Sequence, residues 1–394
     1  MIRPGSHMCM LSALELVRCS GHGDVPQRLV RLLLGTFLHT FEARASLWKA
    51  NVMRVSIKDI AKAAGVSHST VSRALSGSPL VSDETKVRIQ RLAKEMGYSP
   101  NSLARSLVTR QTHTVGVVVT TISDPFVAQV VQGIEATAHD HGYTVLLANS
   151  GAVPEREIAA VEMLRSKRVD CVIVTSSRIG ALYLEHLERI GVPIVLINNH
   201  NELSGRYTFT VTVDNYHGGY SATEHLTQLG HRRVAYVTAP ADHSSDFDRM
   251  AGYRQALIDA GLEPDPAWVI PGNGRAEGGE QALETFVALE PRPTAVFCYN
   301  DMTAIGLMYA ARQSGLAVPQ DIAVVGFDDI PFATYFYPPL TTIAQPKAEM
   351  GSLAMEMALS LMAADRGEAN GKSGESSNVV VRGKLIVRAS TIGA

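Results

Sequence analysis

Apolar residues near position 57 recur with the period of an α-helix. The residues at positions i, i+3, i+4 and i+7 are Ile57, Ile60, Ala61 and Ala64. This spacing puts them on one face of a short helix, which Gly65 is placed to end. The pattern therefore predicts a small helical element with one buried stripe.

A turn and two further helices are predicted next. Ser67 is placed to cap a second helix over His68–Leu75, in which Val71 and Leu75 face inward. A third helix begins at Ser82, with acidic residues in its first turn. Two short helices around a glycine turn are typical of a helix-turn-helix, although an ordinary three-helix surface bundle has the same pattern.

Beyond Gln111 short β-branched runs alternate with amphipathic helical stretches. The predicted strands are Val115–Thr120, Thr144–Ala148, Cys171–Thr175, Ile194–Ile197, Val234–Thr238, Ala295–Cys298 and Ile322–Gly326. The predicted helices are Phe126–Gly142, Glu155–Ser166, Gly218–Gly230, Arg249–Gly261 and Met302–Gly315. Alternation of this kind favours an α/β fold with parallel sheets covered on both faces. A body of about 280 residues is expected to divide into two lobes, because single cores seldom grow larger.

The composition is typical of a globular protein and argues against disulfide-rich and membrane-spanning proteins. The 394 residues are 46% hydrophobic and 19% charged, which is typical of a folded globular chain. Four widely spaced cysteines indicate neither a disulfide framework nor a zinc ribbon, and they favour a reducing cytoplasm. Because no apolar stretch reaches the roughly 18 to 20 residues of a membrane span and no signal peptide is recognisable, we expect no membrane partner.

Charge is distributed unevenly along the chain. The net charge is -2, but residues 54–110 hold ten Lys/Arg against four Asp/Glu, so +6 lies there and -8 elsewhere. A basic module on an acidic body is typical of a DNA-binding headpiece, and a solvated surface gives the same count. Residues 1–52 differ in composition from the rest, and we expect an extension that is non-native or disordered.

The helix-turn-helix suggests how bases would be read. A helix fits the major groove, and the exposed side chains near its start reach the base edges. His68, Ser69 and Arg73 are the predicted readers, with Arg73 suited to a bidentate contact to guanine.

Motifs for catalysis are lacking. No GxSxG elbow, Walker loop or HExxH helix occurs, and the 13 histidines have no ligand spacing. The pair Gly272 and Gly274 is not part of a complete GxGxxG. We therefore expect no catalytic residue, no metal site and no cofactor.

The chain resembles a known family. The run VSIKDIAKAAGVSHSTVSRALSGSPLVSDETKVRIQRLAKEMGYSPNSLARSL is similar to the headpiece of the lactose and galactose repressor (LacI/GalR) family. The resemblance continues through SDPFVAQVVQGIEATA, VTVDNYHGGYSATEHLTQLGHRRVAYV, YNDMTAIGLMYAARQSGLAVPQDIAVVGFDD and PPLTTIAQP. About 340 residues, from Arg54 onward, are covered.

The resemblance implies a domain organisation. It places a helix-turn-helix headpiece at 53–99, a hinge helix or linker at 100–111 and an effector-binding and dimerisation domain at 112–394. The last has two doubly wound lobes like those of a periplasmic binding protein, 112–212 plus 345–375 and 213–344 plus 376–394. The implied DNA contacts are Ser67, His68, Ser69, Thr70, Ser72, Arg73, Asn101, Ala104, Arg105 and Leu107. Leu107 would be the wedge that unstacks the central base step.

The resemblance also implies an effector site between the lobes. Its residues would be Asp124, Phe126, Asn198, Arg249, Arg275, Asn300 and Asp328. Alternatively Asn300, Asp301 and Asp328 only cap the helices that follow them. Gly274 stands where many relatives carry an aromatic residue, and the neighbouring Arg275 suggests a ligand with a carboxylate or phosphate.

Taken together, these features predict a transcriptional regulator, most simply a repressor. It would bind a palindromic operator as a homodimer and respond to a small effector such as a sugar or sugar derivative. A freestanding sugar-binding protein and an enzyme on an α/β scaffold are the alternatives.

Overall fold

The computed structural model describes residues 55–98, 111–175, 191–198, 208–240, 243–367 and 378–392. The 1–52 segment and the expected hinge at 100–111, apart from Gln111, lie outside the described residues. The same holds for Asn101, Ala104, Arg105 and Leu107. The chain divides into two compact units, Met1–Asn101 and Ser102–Ala394.

The first unit contains the three predicted helices, α1 (Ile57–Ala64), α2 (His68–Leu75) and α3 (Asp83–Glu95). Ser56 caps α1, and Gly65 ends it in the left-handed conformation with φ 65°. Ile60, Val71 and Ile89, one from each helix, are fully buried and form the small core. The helix-turn-helix prediction is confirmed.

The first lobe of the second unit is built on one six-stranded sheet. Its strands are β1 (Thr114–Val119), β2 (Thr144–Asn149), β3 (Cys171–Thr175), β4 (Ile194–Ile197), β5 (Thr208–Val213) and β11 (Asn378–Val381). The order is β11-β5-β4-β3-β1-β2, and every pair is parallel. Helices α4 (Pro125–Asp140), α5 (Pro154–Ser166) and α11 (Lys347–Asp365) cover it.

The second lobe repeats this construction. Its strands are β6 (Val234–Val237), β7 (Val269–Ile270), β8 (Ala295–Cys298), β9 (Ala323–Asp328), β10 (Thr341–Ala344) and β12 (Lys384–Ile386). The order is β12-β10-β9-β8-β6-β7, with only the edge strand β12 antiparallel. Its helices are α6 (Asn215–Gln228), α7 (Ser244–Asp259), α8 (Ala276–Ala288), α9 (Asp301–Gln313) and α10 (Pro331–Tyr335). The predicted α/β class is confirmed.

One lobe boundary differs from the prediction. Strand β11 pairs in parallel with β5, so it belongs to the first lobe, whereas residues from 376 onward were assigned to the second. The short apolar run at Val379–Val381 carries no local signal for which sheet it joins, because that choice depends on distant strands. The last crossing between lobes therefore lies between β11 and β12.

No helix in the described part of the chain is both long enough and apolar enough to span a membrane.

Candidate functional site

Helix α2 presents a polar outer face. Val71 and Ala74 are fully buried, whereas His68, Ser69, Ser72 and Arg73 are exposed. Capping explains part of this arrangement, because the Ser67 hydroxyl accepts a hydrogen bond from the Thr70 backbone N–H at 3.1 Å. Ser67 and Thr70, both predicted DNA contacts, thus also build the start of the helix. Arg73 is the only Lys or Arg among these four exposed residues.

The second unit contains a cavity of about 370 Å³ between its lobes. It is lined by residues that follow the carboxyl ends of strands from both sheets, which is where open α/β sheets bind ligands. All seven predicted effector residues line it: Asp124, Phe126, Asn198, Arg249, Arg275, Asn300 and Asp328. Side chains that the sequence placed far apart are therefore brought to one site, and their contact with an effector stays a prediction.

Arg249 is the most constrained cation of this cavity. Its side chain is buried, with Nε donating to Asn215 Oδ1 at 2.9 Å and a terminal nitrogen donating to the Tyr299 carbonyl at 2.6 Å. The guanidinium lies over the Phe327 ring, 3.6 Å from its centroid. Helices α6 and α7 approach closely here, since a Cβ on Gly219 would lie 2.2 Å from the Arg249 carbonyl oxygen. Stacking and hydrogen bonds hold Arg249 in place, with nitrogen donors left over for a ligand.

Asp328 is the buried acid beside Arg249. Gln345 Nε2 donates to Asp328 Oδ1 at 2.6 Å, and the Lys347 ammonium donates to the Asp328 carbonyl. Burial raises the pKa of Asp328 from 3.8 to about 7, although the nearby Arg249 charge opposes the shift. The Asp124 charge on the other lobe raises it further. Asp328 also has a φ of 124°, a strained conformation that is frequent at functional sites.

This raised pKa predicts a pH-dependent stability. The folded protein keeps the Asp328 proton up to about pH 7, whereas the unfolded chain loses it near 3.8, so the resulting stabilisation is lost progressively between these two pH values and is gone above about pH 7. We expect Asp328→Asn to unfold at a higher temperature than wild type at pH 8, with a smaller difference at pH 5.5. Thermal unfolding at both pH values measures this. Asp140→Asn, on an exposed helix end, is the control, and an unchanged pH dependence in Asp328→Asn would contradict the assignment.

Two buried oxygens of the cavity wall have no hydrogen-bond donor among the described residues. They are Asn198 Oδ1 and Gln345 Oε1, on side chains only 8% and 4% exposed. An unsatisfied buried acceptor costs free energy, which a ligand hydroxyl or N–H would recover. Asn198 also has a positive φ of 54°. These acceptors therefore favour a ligand rich in donors.

A cluster that sequence reasoning missed lies on the second lobe. The Tyr299 hydroxyl is 2.9 Å from Ser245 Oγ and 3.2 Å from His243 Nδ1, and all three residues line the cavity. The predicted helix began at Arg249, whereas α7 begins at Ser244, so His243 and Ser245 were left in a loop. Tyr299 stands directly before Asn300 at a strand end, which was a usable signal.

The capping alternative describes only Asn300 of the three Asx residues. Asn300 caps α9 by accepting from the Thr303 N–H at 2.9 Å, and it also lines the cavity while donating to the Gly274 carbonyl at 2.8 Å. Asp301 is fully buried and accepts from the Ile330 N–H at 2.8 Å. Asn300 thus both caps α9 and lines the cavity. Asp301 instead connects the start of α9 to the segment before α10 and to β10, by accepting from the Ile330 N–H and the Thr342 hydroxyl.

No group of three or more His, Cys, Asp or Glu side chains in the described ranges is arranged to hold a metal ion.

Comparison with known families and proteins gives consistent matches. Residues 56–101 match the family described as bacterial regulatory proteins, lacI family, and residues 223–391 match a periplasmic binding protein-like domain. The HTH-type transcriptional repressor PurR of Edwardsiella ictaluri is 36% identical over 336 residues, covering 85% of this chain and 96% of the relative. PurR of Vibrio campbellii is 38% identical over 305 residues, covering 77% and 91%.

Solved structures agree with these matches. A lac repressor dimer bound to operator and the anti-inducer ONPF is 28% identical, with a TM-score of 0.75 over 86% of this chain and 99% of that chain. A complex of the transcriptional regulator CelR with cellobiose is 33% identical, with a TM-score of 0.63 over 86% of this chain and all of that chain.

Proposed function

Because the chain belongs to the LacI family of bacterial regulatory proteins, and is thus a DNA-binding transcriptional regulator, we propose that it represses transcription from a palindromic operator under the control of a small polyhydroxylated effector. Its relatives are repressors rather than enzymes. We place it in the cytoplasm, where it meets DNA.

The observation that carries this proposal is that one chain contains both a helix-turn-helix and a ligand-sized cavity. A helix-turn-helix exposes a polar recognition face, and a two-lobed body gathers Arg249, Asp328 and Asn198 around a cavity of about 370 Å³. Paired carboxylate, amide and guanidinium groups suit adjacent hydroxyls, and the volume lies in the range of small-molecule sites. The helix-turn-helix argues against a freestanding sugar-binding protein.

Control of DNA binding follows from where the cavity lies. Asp124 and Asn198 belong to the first lobe, whereas Arg249 and Asp328 belong to the second. A ligand that contacts both lobes favours the closed arrangement, so it shifts the population between forms that bind the operator well and poorly. The sign of that shift depends on which form the ligand prefers.

The experiment that tests this proposal uses operator DNA in a fluorescence anisotropy titration. Candidate sugars are first ranked by the rise in unfolding temperature that they cause in the full chain. We expect the stabilising ligand to change operator affinity by about 5- to 150-fold. A ligand that protects the body while leaving operator affinity unchanged would overturn the proposed control.

A homodimer is part of the proposal. On and after α10, Phe332, Tyr335 and Tyr337 are 56%, 84% and 79% exposed, while Ala333 between them is buried. Exposed aromatic patches of this kind mark protein interfaces. A palindromic operator requires two copies of the headpiece, one for each half-site. We therefore assign this aromatic surface to the dimer interface.

Charge placed on this surface should separate the subunits. We expect the double variant Phe332→Asp/Tyr335→Asp to weaken dimerisation by about 30-fold or more, because buried aromatic anchors dominate interface free energy. Analytical ultracentrifugation measures the dissociation constant. Ile258→Asp introduces the same charge at a residue that is 54% exposed on α7 and should leave the dimer intact. If both variants stay dimeric, the interface lies elsewhere.

A further inference from the structure

Among the described residues, Arg275 of the cavity wall has no acidic side chain paired with its charge. Arg275 is exposed, lines the cavity and occupies the N-cap position of α8. Its backbone N–H donates to Asn273 Oδ1 at 2.9 Å. Within the described ranges its guanidinium forms neither an ion pair nor a hydrogen bond, unlike that of Arg249. Five N–H donors therefore remain available at the cavity wall.

The loop before Arg275 is held firmly against the second lobe. A Cβ on Gly272 would lie 2.3 Å from the Thr238 carbonyl oxygen, so only glycine allows this approach. Gly274 adopts a φ of 73°, and its carbonyl accepts from Asn300 Nδ2 at 2.8 Å. A Cβ on Gly274 would lie 3.8 Å from the Tyr299 ring, at ordinary van der Waals contact. The position from which Arg275 extends is thus well defined.

Two electrostatic effects favour a negative group here. Helix α8 is 13 residues long. The backbone N–H groups of its first turn and the positive end of its helix dipole are at its N-terminus, next to Arg275. Of the two acids that line the cavity, Asp328 is only partly ionised near neutral pH, because burial raises its pKa to about 7. The cavity therefore carries less negative charge than its two carboxyls suggest.

An independent observation indicates that a ligand fills this cavity. Asn198 Oδ1 and Gln345 Oε1 are buried acceptors without donors in the described part of the chain, and both side chains line the same space as Arg275. Their need is for hydroxyl or N–H donors, whereas the exposed Arg275 guanidinium offers donors to an acceptor. A single molecule with hydroxyls and one anionic group satisfies both.

We propose that the effector is an acidic, polyhydroxylated small molecule whose carboxylate or phosphate is bound by Arg275 and the N-terminus of α8. This inference rests on the proposed function, since it names the chemical class that the same cavity takes. Charge-assisted, bidentate contacts from arginine to either group supply the selectivity over neutral sugars.

The test compares matched ligands on the full chain by isothermal titration calorimetry. The probes are neutral aldoses, their terminal phosphate esters and the corresponding aldonic or uronic acids, and the two acidic arms distinguish phosphate from carboxylate. We expect an acidic member to bind at least about tenfold more tightly than its neutral parent. Arg275→Gln should remove that preference, whereas Arg254→Gln, at an exposed position of α7, should keep it.

The possible outcomes separate the two proposals. A neutral sugar that binds as tightly as its acids overturns the inference and leaves the proposed function standing. An acid preference that persists in Arg275→Gln likewise overturns the role of Arg275. If no member of the panel binds to a chain that still unfolds cooperatively and binds operator, the sugar-effector part of the proposed function fails together with the inference.

Discussion

Arg249→Ala is expected to abolish the effector response, so that operator affinity becomes the same with and without effector. The substitution removes the donor to Asn215 Oδ1 and to the Tyr299 carbonyl, and it empties the stack over Phe327. It also removes the nitrogens that face the cavity. Losing hydrogen bonds to a charged group at such a site should weaken effector binding by about 100-fold or more.

Two further variants keep this prediction testable if the alanine variant is poorly folded. Arg249→Lys retains the charge but loses the planar stack and the fork of donors, so we expect an intermediate loss of effector affinity. Arg254→Gln lies on the same helix, is exposed and should behave as wild type. Urea unfolding establishes that each variant is folded before calorimetry is performed. A full effector response in Arg249→Ala would remove Arg249 from the site.

Arg73→Ala is expected to lower operator affinity by roughly 5- to 150-fold, because one bidentate contact to a guanine contributes about 1–3 kcal/mol. Arg73 lies on the exposed face of α2, opposite the buried Val71. The loss should be accompanied by relaxed preference at a single base pair of each half-site. Anisotropy titrations with operators mutated one pair at a time measure both effects at one stated salt concentration.

A matched variant separates base reading from general attraction to phosphates. Arg91→Ala removes the same charge from the exposed face of α3, where Arg91 lies 3.8 Å from Glu95. We expect it to weaken binding to all sequences alike and by less. If Arg73→Ala also weakened all sequences equally, Arg73 would be a phosphate contact and another residue of α2 would read the base.

Local signals explain which parts of the fold could be predicted. Helices α1 and α2 were predicted with their observed ends, because the left-handed Gly65 that ends α1 and the Ser67 that caps α2 are recognisable from the local sequence. Strands β3 and β4 were likewise predicted in full, since both are buried on two faces and consist mainly of apolar residues.

Other elements depend on partners that are distant in sequence. Strand β10 begins with Thr341 and Thr342, which are fully buried because their hydroxyls donate to the Arg388 carbonyl and to Asp301 Oδ1, respectively. The strand was therefore missed, and so was Gln345, which follows it into the cavity. Likewise β11 joins its sheet by pairing with β5, a strand that is distant in the sequence.

The candidate site shows the same division. Its polar strand ends were visible from the sequence as Asn198, Asn300 and Asp328, each directly after an apolar run. The stack of Arg249 on Phe327 and the cluster around Tyr299 required the tertiary structure, since they join separate strands and helices. The family resemblance was thus sufficient to predict which residues line the cavity, whereas their contacts could be identified only from the structure.

Selection of bound sequences from random duplex DNA by the full chain tests the central claim most directly. We expect a palindrome whose half-sites are spaced for two recognition helices, with a central CG step that suits a wedge such as Leu107. We also expect enrichment to depend on the effector. Two results would contradict operator binding by a dimer. One is enrichment of a single, non-symmetric site, and the other is that a folded dimer enriches no sequence either with or without metabolite pools.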